Sequence, residues 1–329
     1  MGDEAIYRKE DSEYIQKRII TARKNELVAR SFLPIDEDTP SYSLRYTVEH
    51  VEDTGSARIR EAGSDSDGMP LIGEKAGTQG DALFVIEAGF KITRDDLEAA
   101  EARRQSGKGS EYPVSDKRLD GTRRFIAEQE NGIIFNGLKL AGKIIKPGYF
   151  NWPGINEGQV ADSASSQSGI KKRLWKYKTP NQILADIVDA KEELEGDGKY
   201  HAAGILIDDR DYMRLLMPVT ENSTVTTLQW LLQNKDVFFP RGFIRTKNLS
   251  YDILGKTIGN DSVGGFCIFD DAADVAEMIL ARDLEVIEGD WDKFSGKMKV
   301  RAEQKTGGVH VHKPKGIVMR YGTNTVKTV

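Results

Sequence analysis

The chain has 329 residues, 39% of them hydrophobic and 30% charged, with a formal net charge of −5 and a single cysteine. That length can bury a sizeable core in one elaborate domain or two. The acidic balance argues against a dedicated nucleic-acid binder, and one cysteine excludes an intrachain disulfide framework or a zinc site built on several thiolates.

The start, MGDEAIYRKEDSEY, lacks the apolar stretch of a signal peptide. No apolar run approaches the ~20 residues needed to span a bilayer. A protein made in the cytoplasm, with no membrane partner, is expected. Residues 8–33 have helical periodicity, with Ile15, Ile19, Ala22, Leu27 and Ala29 near one face and Pro34 as the stop. The other faces carry Arg8, Lys9, Lys17, Arg18, Arg23, Lys24 and Arg30 against Glu10, Asp11, Glu13 and Glu26. Either this is a solvated helix face or it is a surface that meets a polyanion.

Between residues 40 and 93, Leu44, Tyr46 and Val48 alternate with polar residues as in a half-buried strand. Ala57 and Ile59, flanked by Arg58 and Arg60, suggest a returning strand. Residues 63–80, GSDSDGMPLIGEKAGTQG, read as a polar, turn-rich tip, and ALFVIEAGFKI (82–92) as a strong strand. A hairpin this long has little local core, so it either stays loose or lies on another subunit, and the second is expected. Asp65 and Asp67 imitate the opening of a calcium loop, but Ala76 stands at position twelve, where a bidentate glutamate is required.

TRDDLEAAEARRQ (93–105) predicts a short helix capped by Thr93. A longer helix is predicted over 115–137. Ser115 is its expected N-cap, Leu119, Ile126 and Ile133/Ile134 form the buried stripe, and Arg118, Arg123, Arg124, Glu128 and Glu130 occupy the other faces. It carries no catalytic-looking residue. Residues 149–169 have loop composition. KKRLWKYK (171–178) interleaves basic residues with Trp175 and Tyr177. That pattern suits either a base-stacking strip or a basic segment that packs two aromatics.

From Pro180 the texture becomes α/β: a helix over 180–195, the buried strand HAAGILID, helices in DDRDYMRLLMP and TVTTLQWLLQN, and the strand-like DVFFPRGFIRT. A Gly-rich tip, 259–265, precedes a strand, and residues 275–322 read as three successive antiparallel strands with turns near 289–296 and 307–308. The candidates for chemistry are few. His310 and His312 would share one strand face but have no third ligand at motif spacing. Asp208, Asp209 and Asp211 read as charges at a helix N-terminus, as do Asp270, Asp271 and Asp274 if a turn starts there. Cys267 sits in an apolar run suited to inert burial. No phosphate-binding glycine loop, nucleophile elbow or metalloprotease motif is present. No catalytic residue, metal or cofactor is therefore expected, and a structural protein is favoured.

Several stretches together resemble the encapsulin and tailed-phage major capsid superfamily, the Hong Kong-type shell fold. They are the helix exit NELVARSFLPI (25–35), FKITRDDLEAAEARR followed by RRFIAEQENGIIFNGLKLAG, and ARDLEVIEGD with the final GIVMRYG. The resemblance implies an α+β fold with an N-terminal helix and arm (1–39) and an extended loop (40–92). It further implies a peripheral domain (93–219 and 276–329) with a spine helix at 115–137, and an axial domain (220–275). Arg58, Arg60, Asp65, Asp67 and Lys75 would be the intersubunit residues of the extended loop. Gly259, Asn260, Asp261 and Gly264 would approach the capsomer centre, and Lys17, Arg18, Arg23 and Lys24 would face the interior.

The long loop and axial region are more typical of a viral shell than of an encapsulin. The implied function is a tailed-virus or prophage major capsid protein, assembled in the host cytoplasm and resident in the virion. It would form pentamers and hexamers with itself, contact packaged DNA non-specifically, and meet scaffold, portal or decoration proteins. An encapsulin shell around a cargo enzyme is the alternative. Lys75 is a conceivable crosslink donor without an assignable acceptor.

Overall fold

The computed structural model describes residues 27–54, 73–105, 114–140, 143–163, 169–218, 225–290, 292 and 296–325. Lys17, Arg18, Arg23 and Lys24 of the first predicted helix lie outside them, as do Arg58, Arg60, Asp65 and Asp67.

The described chain opens with one helical turn, α1 (Ala29–Phe32), and the short strand β1 (Ile35–Asp36). β2 (Arg45–Thr54) and β3 (Gly73–Ala82) then pair as an antiparallel ribbon, in register from Arg45 opposite Ala82 to Thr54 opposite Gly73. GEKAGTQG is therefore strand rather than tip. Residues 74–80 of β3 are exposed, so that strand leaves no apolar alternation in the sequence.

β4 (Phe84–Thr93) leads directly into α2 (Arg94–Gln105). Thr93 caps α2 as expected: the Asp96 amide donates to Thr93 Oγ1 at 3.1 Å, and the Thr93 amide donates to the Asp96 carboxylate at 3.1 Å. The long helix α3 runs over Val114–Asn136 and closes at Gly137, whose amide donates to the Ile133 carbonyl. Beyond it comes the hairpin β5 (Leu138–Leu140) and β6 (Lys143–Lys146), and the stretch of loop composition over 149–169 holds β7 (Asn156–Gln159).

α4 (Pro180–Glu195) starts with a reciprocal cap between Thr179 and Gln182 and Pro180 in its first turn. β8 (Gly204–Ile207), α5 (Asp209–Arg214), α6 (Thr227–Gln233), α7 (Lys235–Phe238) and β9 (Gly242–Arg245) follow. The strand expected across DVFFPRGFIRT is thus helical at KDVF and extended only at GFIR. The chain finishes with β10 (Lys256–Ile258), β11 (Asp261–Phe269), β12 (Ala276–Glu288), β13 (Lys297–Val311) and β14 (Ile317–Thr325).

These strands form two main sheets, one of four strands in the order β1-β12-β13-β4 and one with the path β7-β14-β11-β8-β9, with β10 added to β11. The expected domain limits at 219/220 and 275/276 cut through the second sheet, because β8 and β14 are the direct antiparallel neighbours of β11. The ladder joins strands that are far apart in the chain. The last strands also differ from a three-strand meander. Only β12 and β13 pair with each other, and β14 crosses to the other sheet. Gly307–Gly308 is a bulge inside β13, with Gly308 at φ +71° where pairing with β12 slips between Ile279 and Leu280.

β11 explains how the layers join. Phe266 and Ile268 point into a core shared with Ile183, Ile187 and Ala190 of α4, while Cys267 and Phe269 point into one shared with Ile134 and Phe135 of α3. Such burial on both faces requires a continuous apolar strand, and GGFCIF is one. Phe32 lies at the centre of the second core, stacked on Phe135 at 5.5 Å and edge-on to Tyr149 and Phe269, each at 5.3 Å.

Candidate assembly interface

The ribbon has almost no core of its own. Lys75 and its neighbours from 74 to 80 are exposed, and Tyr46 is the buried residue of its described β2 side chains. Its attachment to the body is concentrated at its base. Tyr46 and Asp81 are cross-strand partners, and both reach the buried Lys146 at the end of β6. Lys146 Nζ donates to the Tyr46 hydroxyl at 2.6 Å and to the Gly307 carbonyl, and stands 3.4 Å from the Asp81 carboxylate.

The Tyr46 hydroxyl in turn lies 3.1 Å from His310 Nδ1. The His310 and His312 rings are 4.7 Å apart, and His312 Nε2 sits 2.9 Å from Glu277. One ammonium thus ties both ribbon strands to the β13 bulge. Burial pushes the Lys146 ammonium down to about 8, against the pull of Asp81. Burial also raises the Tyr46 phenol, with Asp81 and Glu277 adding to the effect, so it stays protonated. The histidine pair expected on one strand face is present, and its role is in this network. Among the described residues, no group of three or more His, Cys, Asp or Glu is arranged to hold a metal, and no helix is long and apolar enough to cross a membrane.

The helix exit before Pro34 is docked onto α3 by polar groups. Asn131 Oδ1 accepts from the amides of Val28 and Ala29 at 3.2 Å each, and Glu130 takes the Arg30 guanidinium in two bonds of 2.8 and 2.9 Å. Glu130, expected on an outer helix face, is only 4% exposed. A Glu-Asn pair within a helix gave no signal of this, because the partner is an amide pair a hundred residues away in sequence. An apolar cavity of about 410 Å³ lies alongside, between Ala29, Ile126 and Leu284.

Gly259 and Asn260 form the turn between β10 and β11, with Gly259 at φ +63°, and Asp261 begins β11. Gly264 lies within β11, where a Cβ would meet the Asn324 side chain at 2.2 Å, so it belongs to the sheet rather than to the tip. Trp175 is buried against Phe266 at 5.3 Å and donates its indole N–H to Asp186 at 2.8 Å, while Lys178 pairs with the same carboxylate at 2.6 Å. The basic-aromatic strip therefore spends Trp175 and Lys178 on the core. Asp211, expected as a first-turn charge, is buried and accepts from Thr323 and from Asn324 Nδ2 at 2.6 Å. Burial, reinforced by the nearby Asp208, pushes its carboxyl up to about 7. Cys267 is buried and its thiol is raised by desolvation, consistent with an inert core residue.

The described chain thus combines an exposed ribbon, a long helix docked by the N-terminal segment, and two sheets joined through a common core. The chain is similar to the capsid of Myoviridae phage XM1, with a TM-score of 0.76 at 15% identity over 97% of this chain and 100% of that one. It is also similar to the capsid of an empty GTA particle (TM-score 0.62, 9% identity, 96% and 98% covered). The virus-like particle from Pyrococcus furiosus is a more distant likeness (TM-score 0.50, 15% identity, 88% and 91% covered). No curated protein sequence matches. The family model for major capsid proteins matches residues 42–322, and the chain belongs to that family.

Proposed function

We propose that copies of this major capsid protein assemble through pentamers and hexamers into an icosahedral virion shell of a tailed virus or prophage. The shell encloses double-stranded DNA, and the subunit has no catalytic task of its own. The β2–β3 ribbon lies across a neighbouring copy, and the six-stranded sheet, with the turn at Gly259 and Asn260, forms the axial unit near the capsomer centre. Lys17, Arg18, Arg23 and Lys24 face the packaged DNA, where non-specific phosphate contact needs only cations. The observation that carries this reading is the ribbon itself: ten residues in each strand, exposed over residues 74–80 and, among the described residues, tied to the body at its base. A two-stranded ribbon with no face to bury is marginal in water unless something covers it.

Removing residues 54–80 tests this, because Tyr46 and Asp81 of the base remain. The expected product is a folded, soluble subunit that forms no particles by electron microscopy, while the intact chain forms shells that protect DNA from nuclease in the presence of its packaging partners. Unchanged particles after the deletion would contradict the role of the ribbon. Shells that carry a specific folded enzyme and no DNA would instead support the encapsulin reading, for which the cavity beside α1 and α3 offers a peptide site.

A further inference from the structure

On the six-stranded sheet, a cleft of about 830 Å³ opens between α5, the end of β14 and the 171–178 turns. Its lining includes Lys171, Lys176, Arg210 and Arg214, with Tyr177 and Tyr251 as aromatic walls. Arg210 lies 4.4 Å over the Tyr251 ring and only 3.9 Å from Asp252, and Lys176 lies 5.5 Å over the Tyr177 ring. Lys171, Lys176 and Arg214 make no ion pair among the described residues. The carboxylate in the cleft, Asp211, is committed to Thr323 and Asn324. At one edge Met213, on α5 itself, is 64% exposed. The cleft is thus cationic with an apolar margin on a chain whose net charge is −5.

The chain also displays a segment with the complementary pattern. After β1 it reads DEDTPSYSL (36–44), with Glu37 and Asp38 exposed, then Tyr42 at 83% and Leu44 at 78% exposure. Among the described residues, nothing covers these two large apolar side chains, which stand in water beside three acids. This segment is tied to the four-stranded sheet: the Ser41 carbonyl accepts from Lys305 of β13 at 3.0 Å, and the Leu44 carbonyl accepts from the Leu83 amide at 3.0 Å. The cleft belongs to the other sheet.

We propose that the cleft between α5 and β14 binds the acidic 36–44 segment of a second copy of this chain, its carboxylates against the lysines and arginines and its Tyr42 and Leu44 against the apolar margin. A cleft of this size admits one extended chain but not a DNA duplex, whose charges lie on a wide cylinder. The contact deepens the shell reading by naming a subunit-to-subunit joint, and the two can fail separately.

Two full-length variants test it, one with Asp38→Cys and the other with Lys176→Cys; the native Cys267 is buried and does not compete. Mixed and oxidised, they should yield a crosslinked heterodimer that neither gives alone. No crosslink under conditions where the intact chain self-associates overturns the proposal, whereas crosslinking without closed particles upholds it and sinks the shell reading. Charge reversal supplies the second arm. Lys176→Glu with Arg210→Glu should cut particle yield by about tenfold or more, as should Glu37→Lys with Asp38→Lys, and the four together should restore it. Loss without rescue, in chains whose thermal unfolding matches that of the intact protein, overturns the proposal. Normal particle yield with reduced DNA retention overturns it too, since the cleft would then serve nucleic acid.

Discussion

β2 and β3 pair along ten residues each and bury Tyr46 at their base, whereas β11 buries seven of its nine residues between two helical layers. Both are antiparallel ladders with well-defined register. The backbone hydrogen bonds are the same in kind, so what separates the two regions is where the side chains go. β11 draws its stability from apolar burial on both faces. The ribbon draws its order from one clamp, the Lys146 ammonium between Tyr46, Asp81 and the Gly307 carbonyl. Regions held in such different ways should fail independently.

The largest effect is expected in the sheet. Phe269 touches the core from its centre, 5.3 Å from Phe32, and truncation to alanine removes the shared wall between α1, α3 and β11. Phe269→Ala should cost about 3–5 kcal/mol in denaturant unfolding, with the whole described body losing protection together. If only β11 and β14 lost protection, the two sheets would not be one cooperative unit.

Lys146→Met should cost less, about 1–3 kcal/mol, since it leaves the buried Gly307 carbonyl without its donor while Asp81, partly exposed, returns to water. Hydrogen exchange should rise at the base of β2 and β3 and stay slow in β11. Lys146 also gives the clamp a pH signature. Its folded value, about 8, lies below the ordinary 10.5, so burying its charge carries a cost that is fully present below about 8. The unfolded chain holds more protons between about 8 and 10.5, so this group makes stability rise with pH across that window. The intact protein should therefore gain stability relative to the methionine variant from pH 8 to 10.5; a constant difference would mean that the ammonium is not buried.

The same contrast explains what was legible in the sequence. β11, α3 and α4 announce themselves because burial imposes a pattern: GGFCIF is continuous because both faces are covered, and Ile126 and Ile134 repeat because one face of α3 is. The caps at Thr93 and Thr179 are local and equally readable. GEKAGTQG reads as a turn-rich tip because its residues 74–80 are exposed and carry no burial pattern. The pairing of β14 with β11 and β7 went unseen, as long-range ladders leave no local trace. Of the candidate interface, the histidine pair on β13 is visible in the sequence, but Lys146, at the end of the short hairpin strand KIIK, is not, because its partners Tyr46, Asp81 and Gly307 are far away in the chain. Glu130 reads as an outer-face residue because its partner, Arg30, lies a hundred residues away in sequence.

Gly308→Ala probes the bulge from the side of β13. At φ +71° an alanine pays about 1–2 kcal/mol for the left-handed backbone, and its Cβ would stand 3.3 Å from the Ile133 side chain. The bulge also presents the Gly307 carbonyl to Lys146. The variant should therefore loosen the ribbon base slightly in exchange experiments as well as lowering global stability, an effect between those of the core and the ribbon surface.

The smallest effect on folding is expected at Lys75. It is exposed in β3, opposite Glu52 in register, and far along the ribbon from the clamp. Lys75→Ala should leave the unfolding midpoint of the free subunit within about 0.5 kcal/mol of the intact chain. Its consequence should appear only in assembly: if the ribbon lies on a neighbour, removing a cation from its surface changes the yield or the salt dependence of particles while the subunit itself is untouched. A drop in subunit stability as large as that of Lys146→Met would mean that the ribbon packs on its own body beyond the base. Unchanged stability with unchanged assembly across a range of salt would remove Lys75 from the contact and leave the joint between copies to the rest of the ribbon and to the cleft.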